Sequence, residues 1–144
     1  MKLLLDNLEL FLRLAALAQI GVAILNLFLV RIMKWEGDLI SAPLLIREVF
    51  QIHIYFISIT LAIFGVLTWR FASELATAAD PLGVWLALGI GVFWAVRSVM
   101  QWSHYSAVHW HGDKARTAIQ WMLFWGYGAF AAVYFTAAGR EFLH

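Results

Sequence analysis

Four long apolar stretches, separated by short polar connections, constrain this chain more than any other feature of its sequence. They cover approximately residues 14–33, 44–69, 82–104 and 116–138. A transmembrane helix needs about 20 predominantly apolar residues, so each stretch is long enough to cross a bilayer once. Of the 144 residues, 63% are hydrophobic and only 13% are charged, against about 25% in a soluble domain. The sequence therefore predicts a single integral-membrane domain.

The hydrocarbon core dictates how these stretches fold, because backbone N–H and C=O groups inside it must be paired within the protein. We therefore predict an all-α, four-helix transmembrane bundle with short loops. Short connections make sequential helices antiparallel neighbours. Ser41 before Pro43, and Asp80 before Pro81, have the cap-then-proline pattern of a helix start. They predict where the second and third helices begin.

Composition excludes several kinds of site and indicates which partners to expect. With no cysteine, the chain forms no disulfide, iron–sulfur cluster or thiolate zinc site. A net charge of +1 gives no reason to expect a nucleic-acid partner, and membrane lipids are the expected partners. Two pairs of glycines allow close approach of helices, within the chain, in a homo-oligomer or with a membrane-complex partner. These are Gly89 with Gly91, and Gly126 with Gly128.

Basic residues near the span ends bear on the orientation in the membrane. The first and third loops with their flanks have five of them, and the opposite side has four. The first set is Arg31, Lys34, Arg47, Lys114 and Arg116; the second is Lys2, Arg13, Arg70 and Arg140. This count leans toward a cytoplasmic position for the first and third loops.

Polar side chains concentrate at one end of the predicted bundle, which we call the polar end. Ionisable groups at membrane depth are costly and tend to face one another or a cavity. Antiparallel alternation brings the polar part of each helix to the side of the first and third loops. The residues concerned are Asn26, Arg47, Glu48, Gln51, His53, Arg97, Gln101, His104 and Gln120.

Helical spacing divides these residues into stripes. Arg97, Gln101 and His104 follow one another at i, i+4 and i+7. Two further stripes are Glu48, Gln51 and Tyr55 on the second helix, and Gln120, Tyr127 and Tyr134 on the fourth. If the second and third helices pack together, Glu48 is the natural counter-ion for Arg97.

A binding or catalytic site at the polar end is the first interpretation. It would hold a metal ion, a cofactor or the headgroup of a membrane amphiphile, with Gln51, Tyr55, Gln101 and Gln120 as ligand-binding residues. In an enzyme, Glu48 or His53 would be the general base, and Arg97 would hold the anionic group.

The third loop could contribute metal ligands, because three of the five histidines fall within eight positions there. Neutral imidazole with carboxylate suits zinc, iron or copper, and the candidate ligands are His104, His109, His111 and Asp113. Haem b is a second cofactor alternative, with His53 and His104 as axial ligands. Histidines in such a loop are also often simply solvated.

A non-catalytic accessory or assembly subunit of a larger membrane complex is the alternative function. In that case Glu48 and Arg97 form a structural ion pair between helices, or extend separately toward the membrane surface. The tryptophans mostly mark the ends of spans, as an aromatic belt does. The two deeper ones, Trp94 and Trp125, either line a pocket or lie in the packing and against lipid.

Overall fold

The computed structural model describes residues 5–32, 34–103 and 114–140, the last range without the side chains of residues 114–116. Within these ranges the chain forms helices and no strand. The helices are α1 (Leu8–Leu27), α2 (Leu29–Ile32), α3 (Glu36–Ser41), α4 (Leu44–Arg70), α5 (Ala72–Thr77), α6 (Pro81–Ser103) and α7 (Lys114–Gly139).

Four of these helices, α1, α4, α6 and α7, are long and apolar enough to cross a membrane. The predicted all-α, four-helix transmembrane bundle is thus confirmed, and the protein is an integral-membrane protein whose outer surface contacts lipid. Large apolar side chains are exposed along every span, as that environment requires. The chain divides into two compact units, Arg13–Arg70 and a second one made of Met1–Leu12 with Phe71–His144.

In the Arg13–Arg70 unit, α1 and α4 pack as an antiparallel pair. Gly65 of α4 lies against Ala16 and Ile20 of α1, so the two backbones approach closely there. Near the other end of the pair, the Asn26 side-chain amide donates to the backbone carbonyl of Ile54 at 3.1 Å and to Ser58 Oγ at 2.9 Å. Asn26, one of the polar-end residues, therefore links two helices.

In the second unit, α6 and α7 form another antiparallel pair. The buried residues of α6 repeat every three or four positions, from Ala87 through Ile90 and Trp94 to Ser98, which is the spacing of one helix face. Ser98 Oγ donates to the Phe124 carbonyl at 3.0 Å. This bond joins the later part of α6 to the earlier part of α7, as antiparallel packing demands.

The predicted glycine contacts are present at two of four positions within the described residues. A Cβ on Gly91 would lie 3.0 Å from the Phe135 ring, and one on Gly128 would lie 3.7 Å from Ser98 Oγ. Positions 89 and 126 have no described atom within 4 Å. Two glycines therefore serve packing inside the chain, and a homo-oligomer stays a prediction.

The two helix-start predictions have different outcomes. Asp80 caps α6, since the Leu82 backbone N–H donates to its Oδ1 at 2.7 Å and Pro81 is the first helical residue. Ser41 caps nothing: it is the last residue of α3, and its hydroxyl donates to the carbonyls of Gly37 and Asp38 at 3.1 and 3.0 Å. The first connection contains a helical turn that its polar composition did not predict.

Candidate functional site

Arg97 and Gln101 lie on the same face of α6, near its carboxyl end. They are four residues apart, and Arg97 donates from one terminal nitrogen to Gln101 Oε1 at 3.1 Å. Gln101 is only 2% exposed. At a rise of about 1.5 Å per residue, Arg97 lies about 9 Å before Ser103, the last residue of the helix. Its long side chain can thus reach toward the headgroup layer from within the hydrocarbon.

An aromatic cluster supports the guanidinium from α7. The Arg97 guanidinium carbon lies 4.9 Å from the centroid of the Tyr127 ring, which is a cation–π distance. Tyr127 itself stacks on Trp94, with centroids 5.2 Å apart and planes at 26°. Phe130 approaches the same tryptophan at 4.6 Å. Trp94 and Tyr127 are buried, so they restrict the conformations of the Arg97 side chain more than lipid would.

No carboxylate of the α6–α7 pair balances this charge. Neither Pro81–Ser103 nor Lys114–Gly139 contains an aspartate or a glutamate. In the described part of the chain, Arg97 donates to Gln101 and to nothing else. Arg97 therefore retains the capacity to donate to an anion.

A small cleft lies between the end of α6 and the beginning of α7, and Arg97 is not among its lining residues. Its lining consists of Gln101, Trp102, Gln120, Trp121 and Phe124. Trp121 and Phe124 meet edge to face at 5.8 Å. The cleft thus has aromatic walls and two carboxamides, and Gln101 connects it to the guanidinium.

Each carboxamide has hydrogen-bonding groups that no residue of the described ranges uses. Gln101 uses its oxygen for Arg97, and its amide nitrogen donates to none of the residues that the structure describes. Gln120 is half-buried and makes no hydrogen bond to any of them.

The predicted site residues of α4 belong to the Arg13–Arg70 unit. Glu48, Gln51, His53 and Tyr55 are all exposed there. His53 Nδ1 lies 2.8 Å from the Val49 carbonyl oxygen. Since a carbonyl can only accept, Nδ1 carries the proton, and a neutral ring would present Nε2 as its acceptor. The pairing of Glu48 with Arg97 stays a prediction.

The predicted metal and haem sites depend on the third loop. His104, His109, His111 and Asp113 lie outside the described residues, so these ligand sets stay predictions. Residues 5–32, 34–103 and 114–140 contain no group of three or more histidine, cysteine, aspartate or glutamate side chains able to hold a metal ion.

The sequence did not identify four residues of this region as site residues: Trp102, Trp121, Phe124 and Tyr127. Tyr127 belonged to a predicted stripe with Gln120, and that spacing could have indicated its role beside Arg97. Nothing in the local pattern distinguishes Trp102, Trp121 or Phe124 from other aromatic residues at span ends.

Comparisons with known proteins give no identification. No protein-family model matches the chain, and neither a curated protein nor a solved structure matches it significantly.

Proposed function

We propose that the protein binds the anionic headgroup of a membrane amphiphile near the carboxyl end of α6, with Arg97 as the residue that holds the anion. The observation that carries the proposal is a guanidinium, fixed over Tyr127 and bonded to Gln101, on a helix pair without any carboxylate. An anionic oxygen from a lipid would supply a counter-charge that neither α6 nor α7 provides. Arginine is well suited to this role, because its planar N–H groups bind phosphate in a bidentate manner.

The amphiphile is favoured over a metal ion by the charge of the groups that the structure brings together. Arg97, Gln101 and Gln120 offer a cation and two neutral amides, which suit an anion and repel a cation. The site lies near the carboxyl end of α6, where the span meets the membrane surface and lipid headgroups are present at high local concentration. The guanidinium would hold the anionic oxygen while the acyl chains lie along the exposed apolar surface.

The proposal also includes the side of the membrane on which the site lies. In the sequence, the end of α6 precedes the third loop, for which the basic-residue count favours the cytoplasmic side. Anionic lipids give the cytoplasmic leaflet its negative surface potential, so a site on that side would meet its ligand in the leaflet. The roles of Glu48, Gln51, His53 and Tyr55 stay predictions.

The test is a lipid titration of the detergent-purified protein, followed by native mass spectrometry. Wild-type protein should bind phosphatidylglycerol, which is anionic, at least tenfold more tightly than zwitterionic phosphatidylcholine. Replacing Arg97 by glutamine removes a charge-assisted hydrogen bond of about 1.5–3 kcal/mol, so the dissociation constant should rise about 10- to 150-fold. The dissociation constant of Arg97→Lys should lie between those of wild type and Arg97→Gln, because lysine keeps the positive charge but lacks the planar guanidinium that binds phosphate in a bidentate manner.

Arg31→Gln is the matched control, since Arg31 is an exposed cation on the short helix α2. It should bind phosphatidylglycerol within twofold of wild type. Equal binding of the two lipids by wild type, or unchanged binding by Arg97→Gln, would contradict the proposal. Loss of folded yield in both Arg97→Gln and Glu48→Gln, with lipid binding unaffected, would instead support a structural ion pair in an accessory subunit.

A further inference from the structure

Helix α4 has a continuous row of exposed apolar side chains, which we call the α4 stripe. Its members follow one another at alternating spacings of four and three residues, which is the heptad repeat of a coiled-coil seam. They are Leu45, Val49, Ile52, Phe56, Ile59, Ile63 and Val66, each between 44% and 70% exposed. Ser58 and Gly65, which contact α1, lie on the other side of the helix. The stripe is therefore a face of α4 that its packing on α1 leaves free.

Polar side chains border the α4 stripe on both edges. Glu48 and Tyr55 lie along one edge. His53 and Thr60 lie along the other edge. Each residue of the first edge precedes one of the second edge by five positions. Because five residues turn an α-helix by about 140° beyond a full turn, neither pair can meet within one copy of α4.

The same spacing brings the two edges together between two copies of α4. Two copies inserted into a membrane in the same direction present parallel α4 helices. When parallel helices pack along a heptad seam, the residues that flank the seam on one helix meet those of the other helix, at an offset of about five residues. Glu48 would then face His53 of the second copy, and the next pair would follow one heptad later.

The chemistry of the two pairs is complementary. His53 Nδ1 donates to a backbone carbonyl at 2.8 Å, which leaves Nε2 for the carboxyl group of Glu48 with one proton between them. The Thr60 hydroxyl donates to a backbone carbonyl at 2.8 Å, so its oxygen can accept from the Tyr55 hydroxyl. The hydrocarbon of a bilayer offers no such partners, and ionisable side chains in a span rarely face it. A second copy therefore fits this face better than lipid does.

We propose that the α4 stripe is the interface of a parallel homodimer. Glu48 of each copy pairs with His53 of the other. Tyr55 of each copy pairs with Thr60 of the other. Helices associate in membranes through close packing and interhelical hydrogen bonds, and the two-fold axis makes each of these bonds twice. The assignment goes beyond the anion site on α6 and uses none of its residues.

Cross-linking through single cysteines tests the position of the interface. The chain has no cysteine, so an introduced one has no background. In a two-fold dimer each stripe residue faces its own counterpart, within reach of a disulfide. Phe56→Cys, oxidised with copper phenanthroline in native membranes, should therefore give a covalent dimer on a denaturing gel.

Ile57→Cys is the matched control for cross-linking. Ile57 is the next residue of α4 and is also exposed, at 46%, but it points about 100° away from Phe56. Its counterpart lies beyond the range of a disulfide, so it should give about tenfold less covalent dimer.

Exchange of the two polar residues tests the pairing itself. Glu48→His and His53→Glu each place two like groups together. Each should raise the dimer dissociation constant in detergent about 10- to 100-fold, because a hydrogen bond is lost twice. The double variant, Glu48→His with His53→Glu, restores the pair and should bind within about threefold of wild type. Gln51→Ala changes an exposed polar residue that does not flank the stripe, and it should leave the constant unchanged.

The dissociation constant is measured by Förster transfer between labelled copies. Rescue by the double variant, together with cross-linking at position 56 and not at 57, would support the proposal. A monomer without cross-links at either position would mean that lipid alone covers the stripe, and it would overturn the proposal. Equal cross-linking at both positions would overturn the assigned face. A double variant no tighter than the single ones would refute the pairing of Glu48 with His53.

Discussion

Adding one methyl group at Gly65 tests the packing of α1 against α4. A Cβ built on Gly65 would lie 2.6 Å from Ile20 Cγ1 and 2.9 Å from the Ala16 carbonyl oxygen. Ordinary contact for a Cβ begins at 3.4 Å. The helices would therefore have to separate by about half an ångström at the Ala16 carbonyl, which is backbone and cannot rotate away.

The expected change in the free energy of unfolding is the sum of two opposing effects. Overpacking of a well-packed interface costs about 1–3 kcal/mol, whereas glycine-to-alanine replacement inside a helix gains about 1 kcal/mol in propensity. Gly65→Ala should therefore lower the free energy of unfolding by about 0–2 kcal/mol. Gly21→Ala is the matched control, because position 21 of α1 has no described atom within 4 Å. It receives the same propensity gain and no steric penalty.

The difference between the two alanine variants isolates the contact. It should be about 1–3 kcal/mol in favour of Gly21→Ala, measured by unfolding in mixed detergent and sodium dodecyl sulfate with circular dichroism as the signal. A difference smaller than about 0.5 kcal/mol, the usual scale of a surface substitution, would mean that α1 and α4 do not approach each other at Gly65. The antiparallel pairing described for this unit would then need revision.

Three further substitutions have definite expectations in the same unfolding assay. Asn26→Leu removes the bonds to Ser58 and to a backbone carbonyl and should cost about 0.6–1.7 kcal/mol, the range for such bonds in membranes; a stabilised variant would contradict their role. Asp80→Ala leaves the Leu82 N–H without its cap and should cost about 0.5–2 kcal/mol, while Asp80→Asn should restore most of it. Arg140→Gln loses donation to two backbone carbonyls at 2.8 and 3.3 Å and should lower the melting temperature, whereas Arg140→Lys should lower it less.

The four spans could be predicted because each property that defines them is local. Apolar length selects the helices, and the Asp80–Pro81 pair fixes where α6 begins. Charges at the span ends were less informative: α1 begins at Leu8, and Arg13, which precedes the predicted span, lies inside the helix over the Trp69 ring at 5.3 Å. An arginine near a span end can extend into or out of the hydrocarbon, and sequence alone does not decide which.

The candidate site was predictable only in part, for a related reason. The i, i+4 spacing of Arg97 and Gln101 predicts that they share a face, and they are hydrogen-bonded. The contact between Arg97 and Tyr127 depends instead on how far α7 is shifted along α6. That register is set by non-local contacts such as Ser98 with Phe124, and no local pattern encodes it.

The most direct test of Arg97 as an anion-holding residue is the lipid that accompanies the protein through purification. Wild type, Arg97→Gln and Arg31→Gln would be extracted in the same mild detergent, and their bound lipids would be quantified by class with mass spectrometry. We expect anionic lipid enriched over its membrane proportion in wild type and in Arg31→Gln, and no enrichment in Arg97→Gln. The same lipid composition in all three proteins would contradict the account.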